Sequence, residues 1–522
     1  MVTSSEETRT KTKFYVFAIS VFITFGSFFV IMALQSSINI EDGLGNKAVT
    51  TGYASSIVCA LLVTPVLLRI LKPKVAIIFS DVCYLLYAAS NAYPSLYTLI
   101  PGSILVGIGS ATTWPCTSLF NVYFGLEHWR FSSGTPDFYV QSYTAKFFGV
   151  FQFSQVIGNA ITTITFQQTN NKQNQTSSEN NTKVANSYEN KTSAWRRNVS
   201  VCGANDCQDP NITSQNLQQY VPPTNKSLYI VVGVLSTLII LSIIVKVMFL
   251  PKIPACVQLP KKKSYPKSKN RNQSSVPMVL NDKDAGEIGD IVYKETEVLS
   301  TPQQISSDME EVAQKISVFN LLKQTTKATF LHFISLQHVL VAGITFYNGI
   351  MMSFVYSELT RAYASCVLGL YQVGIGIIIY GLGDVIFSFF VAKTPTTGMW
   401  RNFPVLLAFT ADILNYLFCL TWEPNADNPW VIYLFFLGFG CSDGIWQTLS
   451  NFRYGEYFSR RKDIAFTTWN LWINFGFFVQ YSLSSYMCVY KKIYMNMALL
   501  IVASVLYGFA EYRYLTMIRV SK

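Results

Sequence analysis

The residue pattern predicts an all-α polytopic membrane protein, with twelve transmembrane helices in two six-helix halves. Twelve apolar runs each approach the about 20 residues that cross the hydrocarbon core of a bilayer. Only 13% of the 522 residues are charged, against roughly a quarter in soluble domains. Six Asn-x-Ser/Thr acceptors, Asn174, Asn180, Asn190, Asn198, Asn211 and Asn225, crowd one polar stretch between two apolar runs. N-glycosylation occurs only on the lumenal side, so that stretch, residues 167–227, orients every other segment.

The first run, 14–34, is about twice as long as a signal-peptide core and lacks a small-x-small cleavage site, so it reads as a retained helix. Runs at 48–71, 75–92, 95–118 and 145–166 follow, then the glycosylated extracellular loop, then 228–250. The second half reads 331–356, 366–391, 402–421, 429–450, 464–487 and 493–512. The predicted organisation is a cytoplasmic N-terminus (1–13), a first half (14–250), a cytoplasmic linker (251–330), a second half (331–512) and a cytoplasmic tail (513–522).

Lysine and arginine support this orientation, since inner segments carry Arg9, Lys11, Lys13, Arg69, Lys72, Lys74, Lys393, Arg401 and Arg460 to Lys462. Lys491 and Lys492 fall on the wrong side and are expected to snorkel to the interface. The linker is basic around Lys261 to Lys263 and acidic around Asp282 and Glu297, the pattern of a solvated tether, with a lipid-binding or phosphorylation-controlled switch as the alternative. Its lone acceptor, Asn272, should stay unmodified.

The two halves echo one another. Phe79-Ser80-Asp81 in the third run corresponds to Phe409-Thr410-Ala411-Asp412 in the ninth. Gly107-Ile108-Gly109 leading to Trp114 corresponds to Gly438-Phe439-Gly440 leading to Trp446. Parallel six-helix repeats are the plan of the major facilitator superfamily. The charged motif usual between its second and third helices is absent, where this chain reads Leu68-Arg69-Ile70-Leu71-Lys72-Pro73-Lys74.

The net charge of +11 belongs to residues flanking apolar runs, which argues for a lipid bilayer as partner and against nucleic acid. Ten cysteines without a C-x-x-C pair and only three histidines predict no metal site and no cofactor. His332 and His338, six apart, would occupy different helix faces. No motif of an enzyme is present. Cys202 and Cys207 lie in an oxidising loop as Cys-Gly-Ala-Asn-Asp-Cys, and a disulfide closing that small ring is expected. Gly440 and Gly444 predict a close helix approach.

Asp81, Asp384, Asp412 and Asp443 stand inside apolar runs, where a charge costs at least ~2.5 kcal/mol. Asp384 and Asp443 are the stronger candidates for a cavity or coupling role, with Trp446 and Gln447 sharing the lining of Asp443. Glu358 and Arg361, three apart, would form an interfacial ion pair or a gate at the outer end of the seventh helix.

Several stretches together resemble the unc-93 family, closest to its homolog A branch. These are Leu34-Gln35-Ser36-Ser37 with Gly43-Leu44-Gly45, Leu96 to Pro101, the Cys202–Cys207 hexapeptide, Ser357 to Tyr363 and Asp443 to Thr448. The resemblance implies a divergent major-facilitator fold in a plasma-membrane protein that regulates a potassium channel. A second branch of the family escorts receptors and has a long tail after its last helix, which this sequence does not match. The alternative expectation is a secondary transporter of a small solute or cation.

Overall fold

The computed structural model describes residues 2–39, 43–132, 136–179, 199–207, 225–253, 327, 330–392, 394, 399–458, 462–484 and 486–521. The acceptors Asn180, Asn190, Asn198 and Asn211, and linker residues 254–326 with Asn272, lie outside the described residues.

Inside hydrocarbon every backbone N–H and C=O must be satisfied within the segment, so apolar runs wind into helices. In chain order these are α1 (Val2–Ile38), α2 (Leu44–Leu62), α3 (Thr64–Ser90), α4 (Leu96–Trp129), α5 (Pro136–Glu179) and α6 (Asn225–Phe249). The second set is α7 (Leu336–Phe354), α8 (Tyr371–Ala392), α9 (Phe403–Thr421), α10 (Pro429–Tyr457), α11 (Lys462–Ser484) and α12 (Val489–Ser521). Among the described residues seven segments are long and apolar enough to cross a membrane: Glu6–Ile38, Leu96–Trp129, Lys226–Phe249, Leu336–Leu368, Gln372–Val391, Trp400–Thr421 and Val489–Met517. The other helices interleave more polar residues with their apolar ones.

Three boundaries differ from the sequence expectation. α5 continues through Glu179, so the first part of the expected loop, including Asn174, is helical; its glutamines support helix beyond the apolar run. The expected turn at 72–74 is a sharp break within α3: Lys72 takes φ 57 and ψ 152, and Pro73 has no N–H to continue the ladder. α7 does not stop near 356 but widens into a π-helical stretch, Val355–Leu368, ended by Gly369 at φ 104. A wide turn of this kind is uncommon and is often found at functional positions.

α1 packs on α5 and α6, and α2 and α3 pack on α4; in the second half α7 packs on α11 and α12, and α10 on α8 and α9. Across the seam α5 meets α8 and α2 meets α11. The interior of the first half is aromatic, with Phe25 against Tyr84, Trp114 and Phe151 at ring separations of 5.4, 5.3 and 5.1 Å. Facing outward are large exposed side chains such as Ile386, Phe389, Leu406, Leu414 and Phe509, the composition of a lipid-facing surface.

Candidate functional site

Two glycines set the geometry of the central layer. A side-chain carbon at Gly440 would lie 2.1 Å from the Tyr380 carbonyl oxygen, and one at Gly444 would lie 2.3 Å from that of Asp384. Only glycine lets α10 approach α8 this closely, as the spacing predicts. The approach brings Asp443 to Tyr380, whose hydroxyl donates to Asp443 Oδ2 at 2.5 Å. Asp384 receives Gln152 Nε2 from α5 at 3.4 Å and Ser388 from its own helix at 3.3 Å. Gln152 Nε2 also reaches Gln447 Oε1 at 3.2 Å, and Gln447 Nε2 lies 3.3 Å from Asp443 Oδ2. Two amides therefore link the two carboxylates across the seam between the halves. Both aspartates are fully buried, and neither has a Lys or Arg partner among the described residues.

The remaining intramembrane aspartates are differently held. Asp412 accepts from Tyr347 and Trp446, each at 2.8 Å, and from Ser442. Trp446 thus turns toward α9 rather than sharing a lining with Asp443. Asp81 pairs with Lys246 of α6 at 2.6 Å and accepts from Thr24 of α1 at 3.2 Å. At the end of the second half bearing residue 401, Arg401 pairs with Glu456 at 2.7 Å and with Glu511, and Arg453 meets Glu456 at 3.1 Å.

A second cluster lies at the opposite end, the loop face, where residues 199–207 sit. The π-helical stretch presents Glu358 and Arg361 one turn apart. Arg361 pairs with Glu358 and with Asp206 of the loop segment, and Lys492 of α12 pairs with Glu358 at 2.5 Å. Ser484 donates to Glu358 at 2.6 Å and accepts from Asn46 of the first half at 2.9 Å. All four charged side chains are at most 1% exposed. The Glu358–Arg361 pair is formed, and it is buried within the protein. Lys492 is likewise no snorkelling residue; the acid it serves comes from a helix more than a hundred positions earlier.

The expected Cys202–Cys207 ring is not formed. Cys202 is joined to Cys366 at the end of the π-helical stretch, and Cys207 to Cys488 just before α12. The hexapeptide turns through a short 3₁₀ helix, Gly203–Asn205, and leaves Asp206 extended, so the thiols point to separate partners. Val489 N–H donates to the Asp206 carbonyl at 2.9 Å, and Gly203, at φ 67, packs against Pro424 and Tyr363. The segment is encoded between α5 and α6 yet belongs structurally to the second half. His332 and His338 also differ from expectation: a break before α7 at Ser335 folds their rings to 4.8 Å apart, and Trp472 Nε1 donates to His338 at 3.1 Å.

Sequence reasoning missed Gln152, Tyr380, Asp206 and Lys492. Gln152 and Tyr380 are ordinary polar residues in apolar runs, and the misplaced charge of Lys492 was the one available signal.

Two packed helical halves with polar groups buried along the seam define a membrane protein of the major-facilitator-like fold. A bacterial homologue of the human drug peptide transporters PepT1 and PepT2 superposes with a TM-score of 0.55 at 9% identity, covering 98% of this chain and 99% of that one. A POT family transporter in complex with 5-aminolevulinic acid gives 0.54 at 12% identity, covering 98% and 96%. Likeness at such identity concerns the fold alone. Residues 35–508 match the family model described as the ion channel regulatory protein UNC-93, and the chain belongs to the UNC-93 family. Relatives include protein unc-93 homolog A of Xenopus laevis, 28% identical over 94% of this chain and 90% of that protein, and its Homo sapiens counterpart, 26% identical over 92% and 89%. A Caenorhabditis elegans relative, named "Putative potassium channel regulatory protein unc-93", is 20% identical over 91% of this chain and 57% of its own length.

Proposed function

We propose that this protein is a multipass plasma-membrane glycoprotein acting as an accessory subunit that regulates a potassium channel. The observation that carries the reading is the family match from residue 35 to 508, together with a relative named for channel regulation. In this proposal the chain crosses the bilayer twelve times, with both termini and the 251–330 linker cytoplasmic and the loop face extracellular. Disulfides at Cys202–Cys366 and Cys207–Cys488 suit an oxidising compartment on that face, and carbohydrate on Asn174 to Asn225 would lie on the same side. A regulator of this kind shifts a channel between open and closed states by contacting one state better than the other. Helix faces carrying Ile386, Leu414 and Phe509 offer surface for such contacts within the bilayer.

The test is co-expression with potassium channels at matched surface density. The expected result is a changed macroscopic current and recovery of channel subunits with the purified protein. Unchanged currents across a channel panel, with no subunit recovered from native membrane, would refute the reading.

A second reading is favoured by the central carboxylates, which lack cationic partners among the described residues, on a fold shared with solved transporters. As a secondary transporter the protein would take up a small solute or cation in liposomes without a partner. Asp443→Asn would abolish that uptake, and uptake surviving the substitution would remove Asp443 from the mechanism.

A further inference from the structure

We propose that the buried carboxylate of Asp384, with the Gln152 amide across the seam, binds a single hard alkali cation that bridges the two halves of the protein. Equilibrium binding needs neither a channel partner nor flux, so the inference stands apart from both readings above.

Unsatisfied atoms point to the ligand. Asp384 Oδ2 and Gln152 Oε1 are buried with no hydrogen-bond partner, and both are acceptors only. Gln152 reaches Asp384 through its amide nitrogen, and the orphaned oxygen belongs to the same amide head. Native interiors leave few such groups unpaired. What these oxygens share is the need for a donor or a cation, and no Lys or Arg among the described residues supplies one.

Their chemistry narrows the class. Carboxylate and amide oxygens are hard ligands, suited to alkali and alkaline-earth ions rather than to soft metals. Asp443 is already solvated by the Tyr380 hydroxyl and the Gln447 amide, which leaves Asp384 as the one of these two with an orphaned oxygen. One uncompensated oxygen and a few neutral carbonyls fit a monovalent ion; calcium takes six to eight oxygens. A proton on Asp384 is the rival occupant, and dependence on alkali separates the two. Asp412 provides the contrast, since three donors occupy it and its oxygens have partners. Because Gln152 belongs to the first half and Asp384 to the second, an occupied site would tighten the seam.

The experiment uses the full-length protein in lipid nanodiscs, with radiolabelled rubidium and sodium titrated at constant ionic strength against choline. Saturable binding of one ion per chain is expected for at least one of the two. Asp384→Asn and Gln152→Leu should weaken it by about tenfold or more, while Asp412→Asn retains it; thermal unfolding establishes that each variant is folded. No saturable binding by the folded wild type, or equal binding by folded Asp384→Asn, overturns the proposal. Protection against unfolding by acidification alone, without alkali dependence, assigns the site to a proton and overturns it equally.

Discussion

At the loop face, Asp206 and Glu358 meet Arg361 and Lys492 in a buried set of two acids and two bases. Near the middle of α8 and α10, Asp384 and Asp443 meet, among the described residues, only amides, a phenol and a serine. Both sets are fully enclosed, so the contrast is not one of exposure. A compensated cluster can exist in one arrangement only, because removing any member strands a charge in low dielectric. An uncompensated pair has no such internal solution and is left responsive to whatever positive charge reaches it. One half of the molecule thus contains a fixed end and a receptive centre.

The comparison can be broken most directly at Arg361. Arg361→Leu strands Asp206 and half of Glu358's compensation, and should cost about 3–5 kcal/mol; thermal unfolding in detergent measures it, and a variant as stable as the parent would deny the cluster its role. The disulfides come next. Cys207→Ser with Cys488→Ser opens a closure spanning 281 positions and should cost about 2–4 kcal/mol. Peptide mapping without reductant should recover the 202–366 and 207–488 cross-links, and a 202–207 link would reverse the assignment. Asp412→Asn should be milder, at about 1–3 kcal/mol, because one of three neutral donors loses its acceptor. The smallest effect belongs to Asp384→Asn, which removes an uncompensated charge at constant shape. In alkali-free buffer its unfolding temperature should match or slightly exceed that of the parent, and a fall as deep as that of Arg361→Leu would erase the distinction between the two clusters.

Helix positions were legible because length and apolarity are local properties: each apolar run overlaps a described α-helix. The family resemblance was legible for a similar reason, since short motifs in order survive without knowledge of contacts. The Gly440–Gly444 approach was also readable, because absent side chains leave a spacing pattern. Tertiary partnerships were not. Cys202 and Cys207 suggested a local ring because their true partners lie 164 and 281 positions away. Lys492 broke a rule about loops and charge only because Glu358 was not visible as its neighbour. Trp446 was grouped with Asp443 by helical spacing, yet its indole N–H faces Asp412 on another helix. The widening of α7 over Val355–Leu368 left no mark in hydropathy, since it depends on hydrogen-bond register rather than composition.

The two sulfur bridges have a consequence for a chain that has been cut. Cys202 and Cys207 precede the 251–330 segment, whereas Cys366 and Cys488 follow it. A protease acting between them would yield two polypeptides that still migrate as one until a reductant is added. The protein is therefore built to survive a nick in its middle as a covalently joined heterodimer of its own halves.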